Sequence, residues 1–213
     1  MTDILVTIKE MVVGGKFKDI EEQVQGAVDS GIDLNRLIND ALISAMDIVG
    51  KRFADGEIYV PEMLVSAKTM KLGLDIIKPL LQSGEAEHRG TIAMGTVKGD
   101  LHDIGKNLVT MMIEGAGFRI IDLGVDVKIE DLIDTVKKEE VDVLGLSALL
   151  TTTMPEMQNV IEALEETGLR NQVKVIVGGA PIDQGFADKI GADGFGADAV
   201  DAVQLARELI AEK

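Results

Sequence analysis

Apolar residues in the first eighty positions recur three and four apart, which is the pattern of amphipathic helices. Two such stripes run through Ile4–Val12 and Ile20–Val28 and are separated by glycine-containing turns. A third stripe follows Asp33, a residue type that favours the helix N-cap, and a fourth begins at Pro61, which suits a first helical turn. Four amphipathic helices joined by short turns predict a small N-terminal four-helix bundle.

From residue 90 onward, short apolar runs alternate with helical stretches. The runs that predict strands are Thr91–Val97, Phe118–Leu123, Val141–Ser147, Val173–Val177 and Asp193–Gly196. The stretches that predict helices are Gly105–Glu114, Ile129–Lys138, Pro155–Thr167, Gln184–Ile190 and Asp198–Glu212. Strands separated by helices of this length form a parallel sheet with helices on both faces. We therefore expect a C-terminal α/β domain with a flavodoxin/Rossmann-like, doubly wound, five-stranded sheet in the order 2-1-3-4-5.

Between these two patterns lies a polar segment, residues 82–89, which reads QSGEAEHR and has no apolar period. Such a composition is typical of a linker. The predicted organisation is a helical domain at residues 1–84, a linker at 85–89 and an α/β domain at 90–213. His88 is expected to be a surface histidine without a role.

Composition and charge exclude several classes of protein. The 213 residues contain no cysteine, which excludes a disulfide framework and thiolate metal sites and fits a cytoplasmic protein. The formal charge of −16 repels nucleic acid and anionic membranes, and only 3% of residues are aromatic, too few for a base-stacking surface. The N-terminus lacks the features of a signal peptide, and no apolar run reaches membrane-spanning length. We expect a cytoplasmic protein that binds neither nucleic acid nor membrane.

The segment Gly99–Asn107 carries the most specific chemistry, because it places His102 in a glycine-flanked loop after the first predicted strand. In an open α/β sheet such a loop faces the ligand-binding edge. The phosphate-binding loop is excluded, since five residues rather than four separate Gly99 from Gly105 and Asn107 stands where a hydroxyl is required. A zinc site is not expected, because one histidine and scattered carboxylates do not supply the three or four converging ligands that zinc needs. A flavin site stays open on the fold alone, although few aromatic residues follow the first strand.

One histidine is enough for a metal whose equatorial positions are already filled by a macrocycle, because the protein then supplies only an axial ligand. Asp100 is spaced to accept a hydrogen bond from the other ring nitrogen of His102, which would fix the tautomer and raise the basicity of the ligand. Ser147, at the end of the third predicted strand, is expected to extend this relay.

These residues resemble a known family. The pattern Asp100-x-His102-x-x-Gly105, together with Ser147-x-Leu149 and Gly178-Gly179 at the ends of later strands, resembles the cobalamin-binding fold of methionine synthase, corrinoid methyl-carrier proteins and cobalamin-dependent mutases. The resemblance implies that His102 replaces the dimethylbenzimidazole base of the cofactor as the lower axial ligand of cobalt. Asp100 and Ser147 would complete the relay, and the displaced nucleotide tail would enter a slot beside the sheet. The cofactor-binding residues implied in this way are His102, Asp103, Gly105, Ser147, Leu149, Thr151, Gly178 and Gly179.

The segment Gly50–Glu62 resembles the helical cap that precedes the corrinoid domain in methionine synthase and the methyl-carrier proteins. By that resemblance, Phe53 and Val60 would shield the upper, methyl-bearing face of the cobalt. We interpret Tyr59 as an ordinary residue of the helical bundle and not as part of this shield. Taken singly, Ser147 and the Thr151–Thr153 run could equally cap a helix, and Gly178-Gly179 could be a tight turn.

The resemblance implies a corrinoid carrier protein of a multi-component methyltransferase system. It would hold cobalamin, or another corrinoid, in the base-off/His-on form, in which His102 binds cobalt in place of the cofactor's own base. It would shuttle a methyl group between a substrate-specific methyltransferase and a second methyltransferase that acts on tetrahydrofolate or a thiol. A reductive activase would be a further partner. The alternatives are a cobalamin-dependent sensor, which needs an output domain, and a flavodoxin-like protein that binds flavin or phosphate.

Overall fold

A computed structural model describes residues 4–80 and 88–211. The chain forms two compact units, Met1–His88 with Gly115–Gly117 and Arg89–Glu114 with Phe118–Lys213. Residues 85–87 of the expected linker lie outside the described residues, so the domain limits from the sequence stay a prediction. No helix in the described part of the chain combines the length and the apolar composition needed to span a membrane.

The regular elements in the described residues of the first unit are all helices. Its helices are α1 (Ile4–Val13), α2 (Ile20–Asp29), α3 (Leu34–Arg36), α4 (Ser44–Ala54) and α5 (Val60–Ile77), and a 3-10 turn spans Lys78–Leu80. Asp33 caps α3 as predicted, because its carboxylate accepts a hydrogen bond from the Arg36 N–H at 2.9 Å. At the start of α5, the Glu62 carboxylate accepts from the Tyr59 N–H at 2.8 Å. The bundle closes around fully buried apolar side chains, among them Ile8, Ile20, Leu37, Leu42, Met63 and Met70.

One segment of this unit departs from the predicted α-helical pattern. Residues Leu37–Ile43, between α3 and α4, form a π-helix. The Ser44 N–H bonds the carbonyl of Asn39, five residues back, and the Ser44 hydroxyl bonds the carbonyl of Asp40 that an α-helix would have paired with that N–H. A side-chain hydroxyl thus satisfies the carbonyl that the wider turn leaves over.

The second unit is the predicted α/β fold. Its strands are β1 (Thr91–Thr96), β2 (Arg119–Asp122), β3 (Val143–Ser147), β4 (Lys174–Gly178) and β5 (Gly194–Phe195). Its helices are α6 (Ile104–Gly115), α7 (Ile129–Lys138), α8 (Pro155–Glu166), α9 (Gln184–Ile190) and α10 (Ala199–Ala211). All neighbouring strands are parallel, and their order 2-1-3-4-5 confirms the predicted topology. The limits of α7 and α9 are as predicted; the strands are each shorter or shifted by one or two residues.

The register of the sheet brings three strand ends level. Thr96 of β1 lies opposite Ser147 of β3, and Ser147 lies opposite Gly178 of β4. β1, β3 and β4 are almost wholly buried, which is expected where helices cover both faces of a parallel sheet. The loops that leave these three strands therefore start from one edge, where ligands bind in open α/β sheets.

Candidate cofactor site

The loop between β1 and α6, which carries His102, is held by hydrogen bonds from both sides. The buried Thr96 hydroxyl donates to the His102 carbonyl at 2.9 Å, and the Asp100 N–H donates to the Val97 carbonyl at 3.1 Å. From the loop after β2, the Asp126 carboxylate accepts from the Gly99 N–H at 2.7 Å, and the Asp126 N–H donates to the Asp100 carbonyl at 3.0 Å. The backbone around His102 is therefore fixed before any ligand binds.

The His102 side chain is oriented by the Asp100 carboxylate. Oδ1 of Asp100 lies 2.8 Å from Nδ1 of His102 and also accepts from the His102 N–H at 3.1 Å. Asp100 is completely buried, whereas the His102 side chain is 51% exposed. With Nδ1 engaged by a carboxylate, Nε2 is the ring nitrogen left to bind a metal, which is the usual arrangement of a histidine ligand.

The second oxygen of Asp100 is equally well bound. Oδ2 accepts from the backbone N–H groups of Leu149 and Leu150, at 2.8 and 3.2 Å, in the loop after β3. The Thr153 hydroxyl lies 2.7 Å from the same oxygen and 2.9 Å from the Leu150 carbonyl; its single proton favours the charged acceptor. Burial acts to raise the pKa of Asp100, but the hydrogen bonds from Thr153, Leu149 and His102 outweigh it and hold the pKa well below its usual range. Asp100 is an ionised acceptor throughout the physiological range.

Ser147 does not occupy the place in this relay that the sequence suggested. The side-chain partners of Asp100 in the described structure are His102 and Thr153. Ser147 ends β3, and its side chain lines a cavity on the same face of the sheet as Gly145. Because side chains alternate along a strand, the Ser147 side chain lies on the face of β3 that lines the cavity. The turn after β3 places Thr153, and not Ser147, against Asp100.

The cavity has a volume of about 500 Å³ and lies within the second unit, at the carboxyl ends of β1, β3 and β4. Helices α6 and α10 and the segment after β4 complete its walls. Its size is within the range of small-molecule sites. Four of the expected cofactor-binding residues line the cavity: Gly105, Ser147, Gly178 and Gly179.

Two glycines of this cavity, Gly105 and Gly179, differ in the space around the position that a Cβ would occupy. A Cβ at Gly105 would have no atom within 4 Å, so the position opens onto free space. At Gly179, where φ is +135°, a Cβ would lie 1.8 Å from the carbonyl oxygen of Ala148. Gly179 is thus required by the close approach of two backbones, whereas Gly105 leaves room that a ligand could fill.

The other expected residues lie as follows. Asp103 is half-buried, directly before α6, and accepts from the Asn107 side chain at 3.0 Å. Thr151 is exposed in the turn after β3. Phe53 is half-buried in α4, and Val60, the first residue of α5, is 38% exposed. Both belong to the first unit, and their place over a cofactor stays a prediction.

Apolar side chains surround His102 in sequence and remain exposed. Leu101 is 71% exposed and Ile104 88%, and in the loop after β3 Leu149 and Leu150 are 42% and 41% exposed. Large apolar side chains grouped in this way mark a surface that binds something. In the described residues no three His, Cys, Asp or Glu side chains converge as a metal site.

Three residues of the site were missed or misread in the sequence. From the sequence, Thr151 is an expected cofactor-binding residue and the Thr151–Thr153 run could equally cap a helix, whereas the structure makes Thr153 the hydroxyl partner of Asp100. Thr96 and Asp126 carried no visible signal, because each acts through contacts with residues distant in the chain or through backbone groups. Asp126 also adopts a left-handed backbone, with φ of +52°, which a single sequence does not reveal.

Comparison with known proteins identifies the family of the chain. Residues 90–204 and residues 4–78 each match a family described as a B12 binding domain. The chain is 40% identical over 210 residues to a corrinoid protein of Desulfitobacterium hafniense, which covers 97% of both chains. It is 44% identical over 181 residues to dimethylamine corrinoid protein 1 of Methanosarcina acetivorans, covering 84% of this chain and 85% of that one.

A solved structure is similar over the whole chain. The methanol:cobalamin methyltransferase complex MtaBC of Methanosarcina barkeri matches with a TM-score of 0.90 and 32% identity, covering all of this chain and 81% of that one. Two B12-binding domains in tandem and this degree of identity settle the family and confirm the corrinoid as the cofactor. The chain belongs to the corrinoid proteins of methyltransferase systems.

Proposed function

We propose that this protein carries a methyl group on the cobalt of a corrinoid whose lower axial ligand is Nε2 of His102. The observation that carries the proposal is the pairing of His102 Nδ1 with the buried Asp100 carboxylate at 2.8 Å, which leaves a half-exposed imidazole with one nitrogen outward. A reduced cobalt held by His102 would supply the strong nucleophile that methyl transfer between a donor and an acceptor requires.

The residues around His102 fit a planar macrocycle with a long side arm. The exposed apolar side chains of Leu101, Ile104, Leu149 and Leu150 provide a surface for the lower face of such a ring. The cavity beside them, with free space at Gly105, provides room for the nucleotide tail that histidine ligation displaces. A base-off, histidine-on cofactor would use both features, whereas a base-on cofactor would leave the cavity without an occupant.

Asp100 and Thr153 control the proton on His102. Asp100 keeps its negative charge because five hydrogen bonds converge on it, so it would hold the Nδ1 proton of His102 and strengthen electron donation from Nε2. The relay thus sets the strength of the axial ligand and acts as neither general acid nor general base.

The partners proposed for this carrier are a substrate-specific methyltransferase, a second methyltransferase for tetrahydrofolate or a thiol, and a reductive activase. The names of its relatives support methylated amines and methanol as the classes of donor, since one is a dimethylamine corrinoid protein and one lies in a methanol:cobalamin methyltransferase complex. We place this exchange in the cytoplasm, in keeping with a chain that has no cysteine.

The ligand assignment can be tested by electron paramagnetic resonance of the Co(II) protein. Protein reconstituted with cobalamin and labelled with 15N only at histidine should show superhyperfine splitting of the cobalt signal into a doublet, the signature of a spin-1/2 nitrogen. The doublet should disappear in His102→Ala. His88→Ala removes the other histidine of the chain and is the matched control, in which the doublet should persist. A doublet that survives in His102→Ala would overturn the proposal.

A further inference from the structure

Asp126, in the segment between β2 and α7, has an uncommon backbone conformation for a residue with a side chain. Its φ is +52°, and in the described part of the chain Glu140 is the one other non-glycine residue with a positive φ. A left-handed backbone costs free energy, so it persists where the surrounding contacts require it, and such residues cluster at functional sites. The contacts of Asp126 therefore indicate what this conformation serves.

The segment that carries Asp126 is attached to β1 on both sides of that residue. The Thr96 N–H donates to the Gly124 carbonyl at 3.0 Å, and the Val127 N–H donates to the Thr96 carbonyl at 3.0 Å. Thr96 is completely buried and Val127 is 6% exposed. Because these attachments lie in the buried sheet, Asp126 stands on a rigid frame even though its own side chain is exposed.

From this frame, Asp126 binds a tight turn that precedes His102. The Asp100 N–H donates to the Val97 carbonyl at 3.1 Å and closes the turn, and Gly99 has the φ of +80° that the third residue of a type II turn requires. That hydrogen bond leaves the Gly99 N–H without an acceptor inside the turn. Oδ1 of Asp126 accepts from this N–H at 2.7 Å, and the Asp126 N–H donates to the Asp100 carbonyl at 3.0 Å.

These two hydrogen bonds fix the backbone of Asp100, and through it the His102 ring. The Asp100 carboxylate lies 2.8 Å from Nδ1 of His102, so the direction of the ring follows the position of Asp100. The His102 side chain is itself half-exposed, and packing therefore covers only part of the ring. The orientation of the imidazole depends in this way on the contacts of Asp126 with the turn.

We propose that Asp126 is a positioning residue for the axial ligand, which strengthens the bond between His102 and cobalt by binding Gly99 and Asp100. The inference rests on the proposed function, because it concerns the ligation which that function assigns to His102. A ligand that is held in place before it binds loses less conformational freedom on binding. Without the Asp126 carboxylate, the turn gains freedom whenever His102 is released, and ligation then costs more.

The strength of this ligation can be measured by titrating cyanide into protein loaded with cyanocobalamin. A second cyanide displaces His102 and gives the dicyano form, which has its own absorbance spectrum. Asp126→Gly removes the carboxylate and adopts a positive φ without strain. It should lower the cyanide concentration at half-displacement about three- to tenfold, which corresponds to the loss of one hydrogen bond. An unchanged midpoint would overturn the inference.

Two further variants separate the hydrogen bond from charge and from backbone flexibility. Asp126→Asn keeps an oxygen that can accept from the Gly99 N–H, and asparagine tolerates a left-handed backbone, so its midpoint should stay within about twofold of the wild type. Glu140→Gly is the matched control, because Glu140 has a φ of +50° and lies between α7 and β3, at the amino end of β3. Its midpoint should equal that of the wild type. A midpoint as low as that of Asp126→Gly in either variant would contradict the role of the hydrogen bond.

The cofactor-free protein provides a second readout. Amide hydrogen exchange at Gly99 should be faster in Asp126→Gly than in the wild type, and Glu140→Gly should leave it unchanged. Circular dichroism of each variant establishes that it is folded. Equal exchange at Gly99 in the wild type and in a folded Asp126→Gly would show that Asp126 does not hold the turn.

The nitrogen splitting in the EPR spectrum separates this inference from the proposed function. If the wild-type protein shows no doublet from labelled histidine, the proposed function falls and this inference falls with it. If the wild type shows the doublet while Asp126→Gly leaves the cyanide midpoint unchanged, ligation by His102 stands and the role of Asp126 is wrong.

Discussion

The ligand loop (residues 97–103) and the cavity beside it lie at the same edge of one sheet and differ in how they use polar groups. In the ligand loop, both oxygens of the buried Asp100 are saturated, and side chains of Thr96, Asp126 and Thr153 hold the loop in one geometry. The cavity is lined mostly by apolar side chains, and its polar or charged lining side chains are Lys106, Ser147 and Asp198. Dense hydrogen bonding suits the placing of a metal ligand, whereas an apolar lining suits selection by shape.

Gly179 of the cavity lies against Ala148, the residue before Leu149, whose N–H binds Asp100, so a change there should have the largest effect. Gly179→Ala would place a methyl group 1.8 Å from the Ala148 carbonyl at a φ of +135°. We expect it to lower the free energy of unfolding by more than about 3 kcal/mol, because neither backbone is free to move. Urea unfolding followed by circular dichroism measures this.

Gly168→Ala is the matched control for that change. Gly168 also has a positive φ, +72°, but a Cβ there would meet nothing within 4 Å. Its cost should be limited to backbone strain, about 1 kcal/mol. Equal losses in the two variants would show that strain alone, and not the contact of the two backbones, accounts for Gly179.

Breaking the ligand loop alone should have the next largest effect. In Asp100→Asn, the side-chain NH2 must face donors wherever it points, because one oxygen faces His102 and the other faces Leu149, Leu150 and Thr153. We expect a loss of about 2–3 kcal/mol in the free energy of unfolding. Asp103→Asn, at a half-buried aspartate with one side-chain partner, should cost less than about 1 kcal/mol. A larger loss of unfolding free energy in Asp103→Asn than in Asp100→Asn would show that Asp103 carries the critical carboxylate.

Acidification should change the difference in stability between the wild type and Asp100→Asn. The pKa of Asp100 is lowered in the folded protein, so its stabilisation is fully present above the unfolded-state pKa of about 3.9 and is lost as the pH falls through the folded pKa. The difference in unfolding free energy between wild type and Asp100→Asn should therefore be constant near neutral pH and shrink below about pH 4. Urea titrations from pH 6 to pH 3 test this. A difference that stays constant to pH 3 would contradict the lowered pKa.

The smallest expected effects on stability concern the hydroxyls of Thr153 and Ser147. Thr153→Val removes a donor to Asp100 with little change in shape, and we expect a loss of about 1 kcal/mol and an upward shift in the pKa of Asp100. Ser147→Ala should change the stability of the cofactor-free protein by less than about 0.5 kcal/mol, because that hydroxyl has no partner in the described residues. If Ser147→Ala proved the more destabilising, the relay expected from the sequence would be restored.

The sheet was predictable because periodicity reports burial directly. Continuous apolar runs such as Val141–Ser147 are what a strand covered on both faces requires, and right-handed crossovers restrict the strand order to few choices. The π-helix at Leu37–Ile43 was not predictable, because it depends on whether the Ser44 N–H bonds Asn39 or Asp40, a choice of one residue that leaves the apolar pattern unchanged.

The candidate site was predictable only in part. His102 and Asp100 are two residues apart, and so local spacing was enough to pair them. Thr153 lies 53 residues from Asp100, and Ser147 lies between them in sequence with the same hydroxyl chemistry. Residue type alone could not choose between the two. The alternation of side chains along β3 and the path of the turn after it made the choice.

By itself, then, the sequence determined the two kinds of architecture, the strand order, and the aspartate and histidine of the ligand loop, because each depends on local spacing or on burial. Only the tertiary structure decided which hydroxyl reaches Asp100, that Asp126 and Thr96 secure the loop, and that mostly apolar side chains line the cavity. Those features arise where segments distant in the chain meet at one edge of the sheet, and residue spacing carries no information on which atoms meet there.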